Sequence, residues 1–321
     1  MSPQIVVLLL PAGKTVTTPS LNALEAQIFQ DFVVVPIQLS VPDSTSVSIQ
    51  RLPSNPSEKT HQTVTRYLAA TQPQYVATLS CSCIPEPAWL SNALTVLKRE
   101  YEIGACASQI RVRTEQGDRL DSAGMLVARD CFYGRRGHGS EPAEYARNSE
   151  TLCPNGLAAL YRWEMLNDIG GLPPSFSDPG WDLEIGLRAR CAGWQSWYAA
   201  EAVVYRNNGA DPVQLPEAYL EERARLEACI TFLPPVHVLF APFSTAARHA
   251  GSLIPLRRQH VPGIARPVRL GWFVARAHLA TAFKLPKLLQ QRRRVKRRMS
   301  ERQMERVLSR HRISVFEAGS Q

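Results

Sequence analysis

The sequence lacks any run of about 18 consecutive apolar residues, so it predicts no membrane-spanning helix. No basic region precedes the first apolar run, at residues 5 to 10, and no small-residue cleavage site follows it, which argues against a secretory leader. The 7 cysteines have no regular spacing and form no zinc pattern with histidine, so we expect free thiols in a reducing compartment. A G-x-S-x-G motif is also absent, and nothing indicates a serine hydrolase. These absences favour a cytoplasmic protein.

Negative charge is scarce at the C-terminal end. From Gly251 onward the sequence has 17 Lys and Arg residues against 3 Glu, a net charge of +14. Because the whole chain carries +9, the remaining 250 residues carry −5. A mildly acidic globule with a basic tail is typical of a protein that touches an anionic surface, either a membrane or a nucleic acid.

The N-terminal part alternates short apolar runs with helical patterns. Residues 5–10, 32–37 and 75–80 predict buried strands, and residues 20–29 and 61–71 predict the helices between them, with Ser20 as an N-cap. Pro36 is awkward for a central strand because it cannot donate to the ladder. The β-α-β-α-β order predicts an α/β fold with a parallel sheet, whose ligands bind beyond the carboxyl ends of the strands.

Several later blocks, in this order, resemble one enzyme family. They are PEPAWLSNAL, DSAGMLVARD, RRGHG, CPNGLAALYRWEML, DLEIGLRARCAGWQSWYAAEAVVYR and the C-terminal KLPKLLQQRRRVKRRMS. Together they resemble the inverting family-two glycosyltransferases, particularly the rhamnosyltransferase-like branch. The resemblance implies a GT-A fold, with a mixed, mostly parallel sheet flanked by helices in residues 1–215 and a basic helical extension in residues 216–321. It also implies a nucleotide-sugar donor and a glycan or lipid-linked acceptor.

The resemblance also implies donor-side residues from which this sequence departs. Relatives carry an Asp-x-Asp metal motif where this chain has Ser80, Cys81 and Ser82, and neither serine is an anionic metal ligand at neutral pH. Gln38 stands near the position of the nucleobase carboxylate, Trp181 replaces the Glu of a Glu-Asp pair, and Arg206 replaces a histidine. We therefore expect a lost divalent-metal site and no cofactor. The remaining pocket positions that the resemblance implies are Pro11, Asn155, Gly156 and Ala158. The small residues at 155–159 fit a close approach to the donor sugar and tight strand-to-helix packing equally well.

Two charged residues have competing interpretations. Asp182 stands in the first turn of a predicted helix, where it is either the catalytic base or an acid that stabilises the helix dipole by about 0.3–1 kcal/mol. Arg206 either neutralises the donor diphosphate in place of a metal or merely caps a surface loop. For Asp121 and for His138, which lies between two glycines, a structural role is favoured over a role in the pocket.

The tail predicts a surface-active helix. Residues 267–290 mix Leu, Trp, Phe and Val with Arg and Lys at helical spacing, and residues 291–299 add six basic side chains. This pattern indicates a helix in the interface of an anionic membrane over residues 267–298, which would place the protein peripherally on the inner face of the cell membrane. The alternative is a helix docked on the catalytic domain with a solvated basic end. Nucleic acid is not favoured as a partner, because no recognised binding module accompanies the charge.

Two functions follow from these observations. The first is an inverting transferase that moves a sugar to a lipid-linked or cell-surface polysaccharide acceptor, without a metal, with Asp182 as base. The second is a catalytically inactive relative that binds or scaffolds a partner glycosyltransferase in glycan assembly. The departures on the donor side favour the second, whereas Asp182 and the intact acceptor wall that the resemblance implies in residues 153–206 favour the first.

Overall fold

A nine-stranded mixed sheet forms the centre of the protein. The computed structural model describes residues 3–11, 18–41, 46–52, 58–128, 131–176, 178–207, 215–239, 241 and 265–313. The strands are β1 (Ile5–Leu10), β2 (Phe32–Pro36), β3 (Tyr75–Ser80), β4 (Cys83–Pro85), β5 (Ile103–Thr114), β6 (Gly117–Ser122), β7 (Met125–Val127), β8 (Tyr133–Arg135), β9 (Ser149–Thr151), β10 (Ala158–Arg162) and β11 (Gln195–Arg206). The main sheet has the order β2-β1-β3-β10-β5-β11-β4, β6 and β9 pair with its members, and β7 pairs with β8.

The N-terminal half confirms the predicted parallel arrangement. Strand β1 pairs in parallel with β2 on one side and with β3 on the other. Strand β10 runs antiparallel between β3 and β5, while β11 runs parallel to β5, so the sheet is mixed and mostly parallel. Pro36 lies on β2, the outermost strand of the sheet, and pairs with Leu9 of β1. Because no further described strand pairs with β2 on its free side, the missing N–H of Pro36 breaks no ladder hydrogen bond there.

Helices cover both faces of this sheet, because the side chains of a buried strand alternate between the two faces. The helices are α1 (Thr18–Glu25), α2 (Thr60–Thr71), α3 (Trp89–Leu97), α4 (Trp163–Asp168), α5 (Trp181–Cys191), α6 (Leu215–Phe232), α7 (Ala265–Phe283), α8 (Leu285–Arg294) and α9 (Glu301–Arg310). Ile5, Val7 and Leu9 pack with α1 and α3. Val6 and Leu8 pack with α2, α4 and one side of α5. The result is a three-layer α/β sandwich.

The first predicted helix is wrong in two details. It ends at Glu25, so Ile28 lies beyond it with 69% of its surface exposed. Ser20 is not the N-cap but lies within the helix, where its Oγ donates to the carbonyl oxygens of Cys81 and Cys83 at 2.9 and 2.8 Å. A buried hydroxyl needs such partners, and these two lie about sixty residues away in sequence. The serine therefore ties α1 to the turn after β3.

The C-terminal helices share a core with the sheet domain. Leu183, Leu187 and Cys191 on the second side of α5 pack with side chains of α6 and α9, including Phe232 and Met304. An isolated bridge also joins Val127 to Arg312. The division after residue 215 stays a prediction, and one buried cluster includes side chains from both sides of it.

The basic run at 291–299 docks largely on this core. Arg292 donates to the carbonyl oxygens of Ile230 and Leu233, and Arg297 donates to those of Thr231 and Phe232. These carbonyls end α6, where a helix leaves acceptors without intrahelical donors and the dipole favours cations. Lys296 and Arg298 both pair with Asp168, at 2.5 and 3.0 Å. Much of the run is therefore structural.

Candidate active site

The carboxyl edge of the sheet brings together segments that are far apart in sequence. Strands β1, β3 and β11 all end there, and β10 begins there because it runs the opposite way. The Cys81 N–H donates to the Leu10 carbonyl at 2.9 Å, directly before Pro11, and the Ser80 N–H donates to the Leu157 carbonyl at 2.7 Å. The Asn207 N–H donates to the Ser82 carbonyl at 2.8 Å. This edge is the ordinary ligand position of an open α/β sheet.

A tight turn at residues 155–158 opens β10. The Asn155 Oδ1 accepts from the Leu157 N–H at 3.0 Å, and the Asn155 carbonyl accepts from the Ala158 N–H at 3.3 Å. These bonds fix the turn and leave the Gly156 N–H to donate outward, to Oδ2 of Asp182 at 2.9 Å. The turn needs glycine because the Trp181 ring lies where a side chain would begin.

Asp182 lies at the start of α5, as the sequence predicts. Gly180 precedes the helix with a positive φ of 83°, a conformation that glycine adopts without strain. The Asp182 carboxylate is half-buried and accepts two backbone N–H groups, that of Gly156 on Oδ2 and that of Leu183 on Oδ1, both at 2.9 Å. Burial raises the pKa of the Asp182 carboxyl, although both hydrogen bonds favour the charged form. A carboxyl with a raised pKa is better matched to accepting a proton near neutral pH.

Trp181 supports the turn from the core side. Its side chain is only 7% exposed, packs edge-on against Phe176 with ring centroids 4.9 Å apart, and belongs to the core between the sheet, α2 and α4. The indole therefore belongs to the core on this face of the sheet, and its ring edge lies against Gly156 in the turn before β10.

The two serines at the end of β3 form a hydroxyl pair. The Ser80 and Ser82 Oγ atoms lie 2.9 Å apart, with Ser80 buried and Ser82 half-buried. The neighbouring Cys83 is no substitute ligand, because burial raises the pKa of its thiol to about 12. Within the described ranges, no three His, Cys, Asp or Glu side chains gather as a metal site. The residues here do not fit a divalent cation, which prefers carboxylate oxygens.

Arg206, at the end of β11, is held by a buried carboxylate. Its Nη1 lies 3.3 Å from both carboxylate oxygens of Asp121, whose side chain is only 3% exposed. Arg135 pairs with the same carboxylate, and His138 Nδ1 lies 3.2 Å from the Asp121 carbonyl oxygen. The Arg206 side chain remains 21% exposed at the carboxyl edge of the sheet. Arg206 is thus an ion-paired residue rather than only a loop cap.

Sequence reasoning missed this cluster as a unit. It treated Asp121 and His138 separately as structural residues and did not consider Arg135. Burial, together with the positive charge of Arg135, lowers the pKa of His138, so the imidazole is neutral at pH 7. Two guanidinium groups then share one carboxylate. Arg135 lies in the RRGHG block, but its partner Asp121 lies fourteen residues earlier on another strand, so no local pattern indicated the pair.

Gln38 follows β2, the outermost strand of the sheet, which lies beside β1. It adopts a left-handed conformation with φ 55°, is exposed, and donates from Nε2 to the Thr60 Oγ1 at 2.8 Å. Strand β2 ends at the same edge as β1, so Gln38 is at the correct end of the sheet for a ligand contact.

Residues 3–226 match the family described as glycosyltransferase like family 2, which is more than half of the chain. The chain belongs to this family. A crystal structure of GalNAc-T7 with UDP, GalNAc and Mn2+ has a TM-score of 0.55 and 11% identity, over 85% of this chain and 54% of that one. The family-two chain thus spans about half the length of GalNAc-T7. At this identity the likeness shows the fold alone, and that fold is the predicted GT-A glycosyltransferase fold.

Two further solved structures align with this family-two chain at 15% identity. The mannosyltransferase PcManGT from Pyrobaculum calidifontis, in complex with GDP-Man and Mn2+, aligns over 100% of this chain and 86% of that chain with a TM-score of 0.42. TarS 1-349 of S. aureus aligns over 78% and 75% of the two chains with a TM-score of 0.46. No curated protein matches the sequence.

Proposed function

We propose that the protein transfers a sugar from a nucleotide-diphosphate donor to a hydroxyl of a glycan or lipid-linked acceptor, with inversion. Asp182 accepts the proton of the acceptor hydroxyl while that oxygen bonds to the anomeric carbon and the bond to the donor diphosphate breaks. The observation that supports this role is the half-buried Asp182 carboxylate, held by two backbone N–H groups at the carboxyl edge of a GT-A sheet. A fixed base opposite the leaving group is what in-line displacement requires.

The test uses Asp182→Asn, which keeps the shape of the side chain and removes the base. Nucleotide release is measured with uridine, thymidine and guanosine diphosphate sugars and a polysaccharide or lipid-extract acceptor, and donor binding is measured in parallel. We expect transfer to fall by about 10²–10⁴-fold with donor affinity little changed, since a general base contributes that much. The thymidine donors also test the rhamnosyltransferase-like branch, which stays a prediction.

Glu184→Gln is the matched control. Glu184 lies in the same helical turn and is half-buried, but it hydrogen-bonds Ser175 and pairs with Arg188 instead of touching the turn at Gly156. This variant should keep the wild-type rate. An Asp182→Asn enzyme that transfers as fast as wild type would contradict the assignment of the base.

The role proposed for Arg206 is to neutralise the donor diphosphate, so that no divalent metal is needed. The support is its place at the end of β11, next to the Ser80–Ser82 pair, where the family resemblance implies metal-binding carboxylates, and the 21% exposure of its side chain. Asp121 keeps the planar guanidinium of Arg206 oriented, which suits a bidentate contact with phosphate. A hydrogen bond to a charged group contributes about 1.5–3 kcal/mol, so Arg206→Ala should weaken donor binding about 10- to 100-fold.

Two controls accompany this change. Arg119→Ala removes a guanidinium from β6 that pairs with exposed Glu141, and it should leave donor binding unchanged. Arg206→Lys keeps the charge but loses the planar fork, so it should recover only part of the affinity. Equal donor affinity in wild type and Arg206→Ala would refute the role.

A second candidate function is a non-catalytic subunit that binds a partner glycosyltransferase in glycan assembly. The Ser80–Ser82 pair favours it, because two hydroxyls replace the charged groups expected beside a leaving diphosphate. The two candidates differ in turnover. The subunit would release no nucleotide from any donor in the panel, with or without manganese, and its Asp182→Asn variant would behave like wild type.

A further inference from the structure

Helix α7 presents large apolar side chains to solvent. Trp272, Leu279 and Phe283 are exposed over 66%, 61% and 88% of their surfaces. At 100° per residue these three positions point within about 40° of one another, so they form one face of the helix. The opposite side carries the buried Ala277 and Thr281. We call the exposed set, Trp272, Leu279 and Phe283, the apolar face.

The apolar face is interleaved with positive charge. Arg276 lies on the same side, one turn after Trp272, and its guanidinium lies 5.1 Å from the Tyr219 ring centroid. In α8, Leu285 and Leu289 are 40% and 46% exposed, and exposed Arg293 follows one turn later on their side.

No acidic residue occurs in the sequence between Glu227 and Glu301. Exposed Lys287 and Arg294 add to the positive charge of α8. Helices α7 and α8 therefore contribute apolar and cationic side chains but no carboxylate to this surface, and Glu227 of α6 pairs with Lys284 between the two helices at 2.8 Å.

This chemistry selects one class of partner. Scattered single apolar residues are normal on a protein surface, but a contiguous exposed set marks an interaction site. A second copy of the chain would place like charges against each other across a symmetric contact. A nucleic acid would satisfy the arginines but leave Trp272, Leu279 and Phe283 without an apolar partner. A bilayer with anionic lipids accepts both, since acyl chains take the apolar side chains and headgroups pair with the cations.

We propose that the apolar face of α7 and the exposed side of α8 bind in the interface of a membrane that contains anionic lipids. No described helix is long and apolar enough to cross a bilayer, so this contact is interfacial. The proposal differs from the sequence interpretation in its residues. Arg292, Lys296, Arg297 and Arg298 contact the protein itself, and Arg276 contacts the Tyr219 ring. The lipid contact therefore passes to Lys287, Arg293 and the apolar face.

The test is co-sedimentation of the full chain with phosphatidylcholine vesicles, with and without phosphatidylglycerol, at low and high salt. Wild type should bind the phosphatidylglycerol vesicles and lose part of that binding at high salt. Phe283→Asp should weaken the partition coefficient by about tenfold or more, because burial of one large apolar side chain is worth that much. Arg293→Ala should weaken it about fivefold at low salt.

Matched controls come from other parts of the fold. Ile28 is an apolar residue before β2 that is 69% exposed, and Arg302 is an exposed arginine on α9, so Ile28→Asp and Arg302→Ala should bind vesicles like wild type. Trp272 supplies a direct readout. Vesicles should shift the tryptophan fluorescence of wild type to shorter wavelength, and Trp272→Phe should remove most of that shift.

Three results would overturn the proposal. The first is that wild type does not sediment with phosphatidylglycerol vesicles. The second is that Phe283→Asp and Ile28→Asp weaken vesicle binding equally. The third is that wild type is a dimer in gel filtration and does not bind vesicles, whereas Phe283→Asp is a monomer. That result would assign the apolar face to a second copy of the chain. Vesicle binding needs neither donor nor turnover, so its failure is distinguishable from failure of the transferase proposal.

Discussion

Replacing Gly156 by alanine tests the architecture on which the site depends. An added Cβ would lie 2.4 Å from Cζ2 of Trp181, 2.9 Å from its Cε2 and 3.1 Å from Cβ of Asp182. Carbon atoms pack at about 3.5–4.0 Å, so the overlap with the indole exceeds about 1 Å. Trp181 is buried against Phe176 and cannot swing into solvent. The turn at 155–158 must therefore move, and the hydrogen bond from Gly156 to Asp182 is lost with it.

The two consequences add to a large loss of stability. Forcing an extra carbon into a packed core costs about 1–3 kcal/mol. Losing a hydrogen bond to a charged group costs about 1.5–3 kcal/mol. We expect Gly156→Ala to lower the free energy of unfolding by about 3–5 kcal/mol, which is a large fraction of the stability of a typical domain. Urea unfolding should show this as a lower midpoint with an unchanged slope.

Two further variants separate the clash from a general effect of alanine. Gly139→Ala adds a Cβ with nothing within 4 Å, at φ 80°, so it should cost only the backbone strain of about 1–2 kcal/mol. In the Gly156→Ala/Trp181→Phe double variant the smaller ring leaves room. Its loss should be smaller than the sum of the two single losses. A Gly156→Ala protein as stable as Gly139→Ala, or strictly additive losses in the double variant, would refute the packing argument.

Three further predictions concern buried charges. Because burial raises the pKa of Asp182, the transfer rate should begin to fall on acidification at a higher pH than it would with an ordinary aspartate. The stability of wild type relative to Asp182→Asn, measured by urea unfolding, should decrease as pH rises through that raised pKa. Arg190, with its side chain only 2% exposed, donates to the Leu152 carbonyl at 3.1 Å and pairs with Glu150; Arg190→Met should destabilise the protein by about 3–5 kcal/mol in the same assay. Burial lowers the pKa of His311 to about 4, so stability should be lost as pH falls from 6.5 towards 4, and His311→Gln should flatten that loss.

The sequence predicted the parts of the fold that depend on local pattern. The apolar runs at 5–10 and 75–80 are central strands, because a strand buried on both faces must be apolar throughout. The position of Asp182 at a helix start followed from the turn at Pro179 and Gly180. The mostly parallel sheet and the flanking helices followed from the β-α-β pattern and from the family resemblance.

Long-range pairing is what the sequence could not predict. Asp121 and Arg206 meet although 85 residues separate them, and neither position carries a local signal for the other. The same holds for Ser20, whose hydroxyl reaches across to the turn after β3 instead of capping its own helix. The basic tail shows a related effect, because composition alone does not distinguish Arg297, which caps α6, from Arg293, which faces solvent.

Donor binding without metal tests whether Arg206 replaces a divalent cation at the donor diphosphate. Titration calorimetry of wild type with the uridine, thymidine and guanosine diphosphate sugars, first in EDTA and then with manganese, measures whether this chain holds a donor through its own residues. We expect one of the donors to bind in EDTA, manganese to change its affinity little, and Arg206→Ala to weaken it. Binding that appears only with manganese and is indifferent to Arg206→Ala, or no binding to any donor, would contradict this role of Arg206.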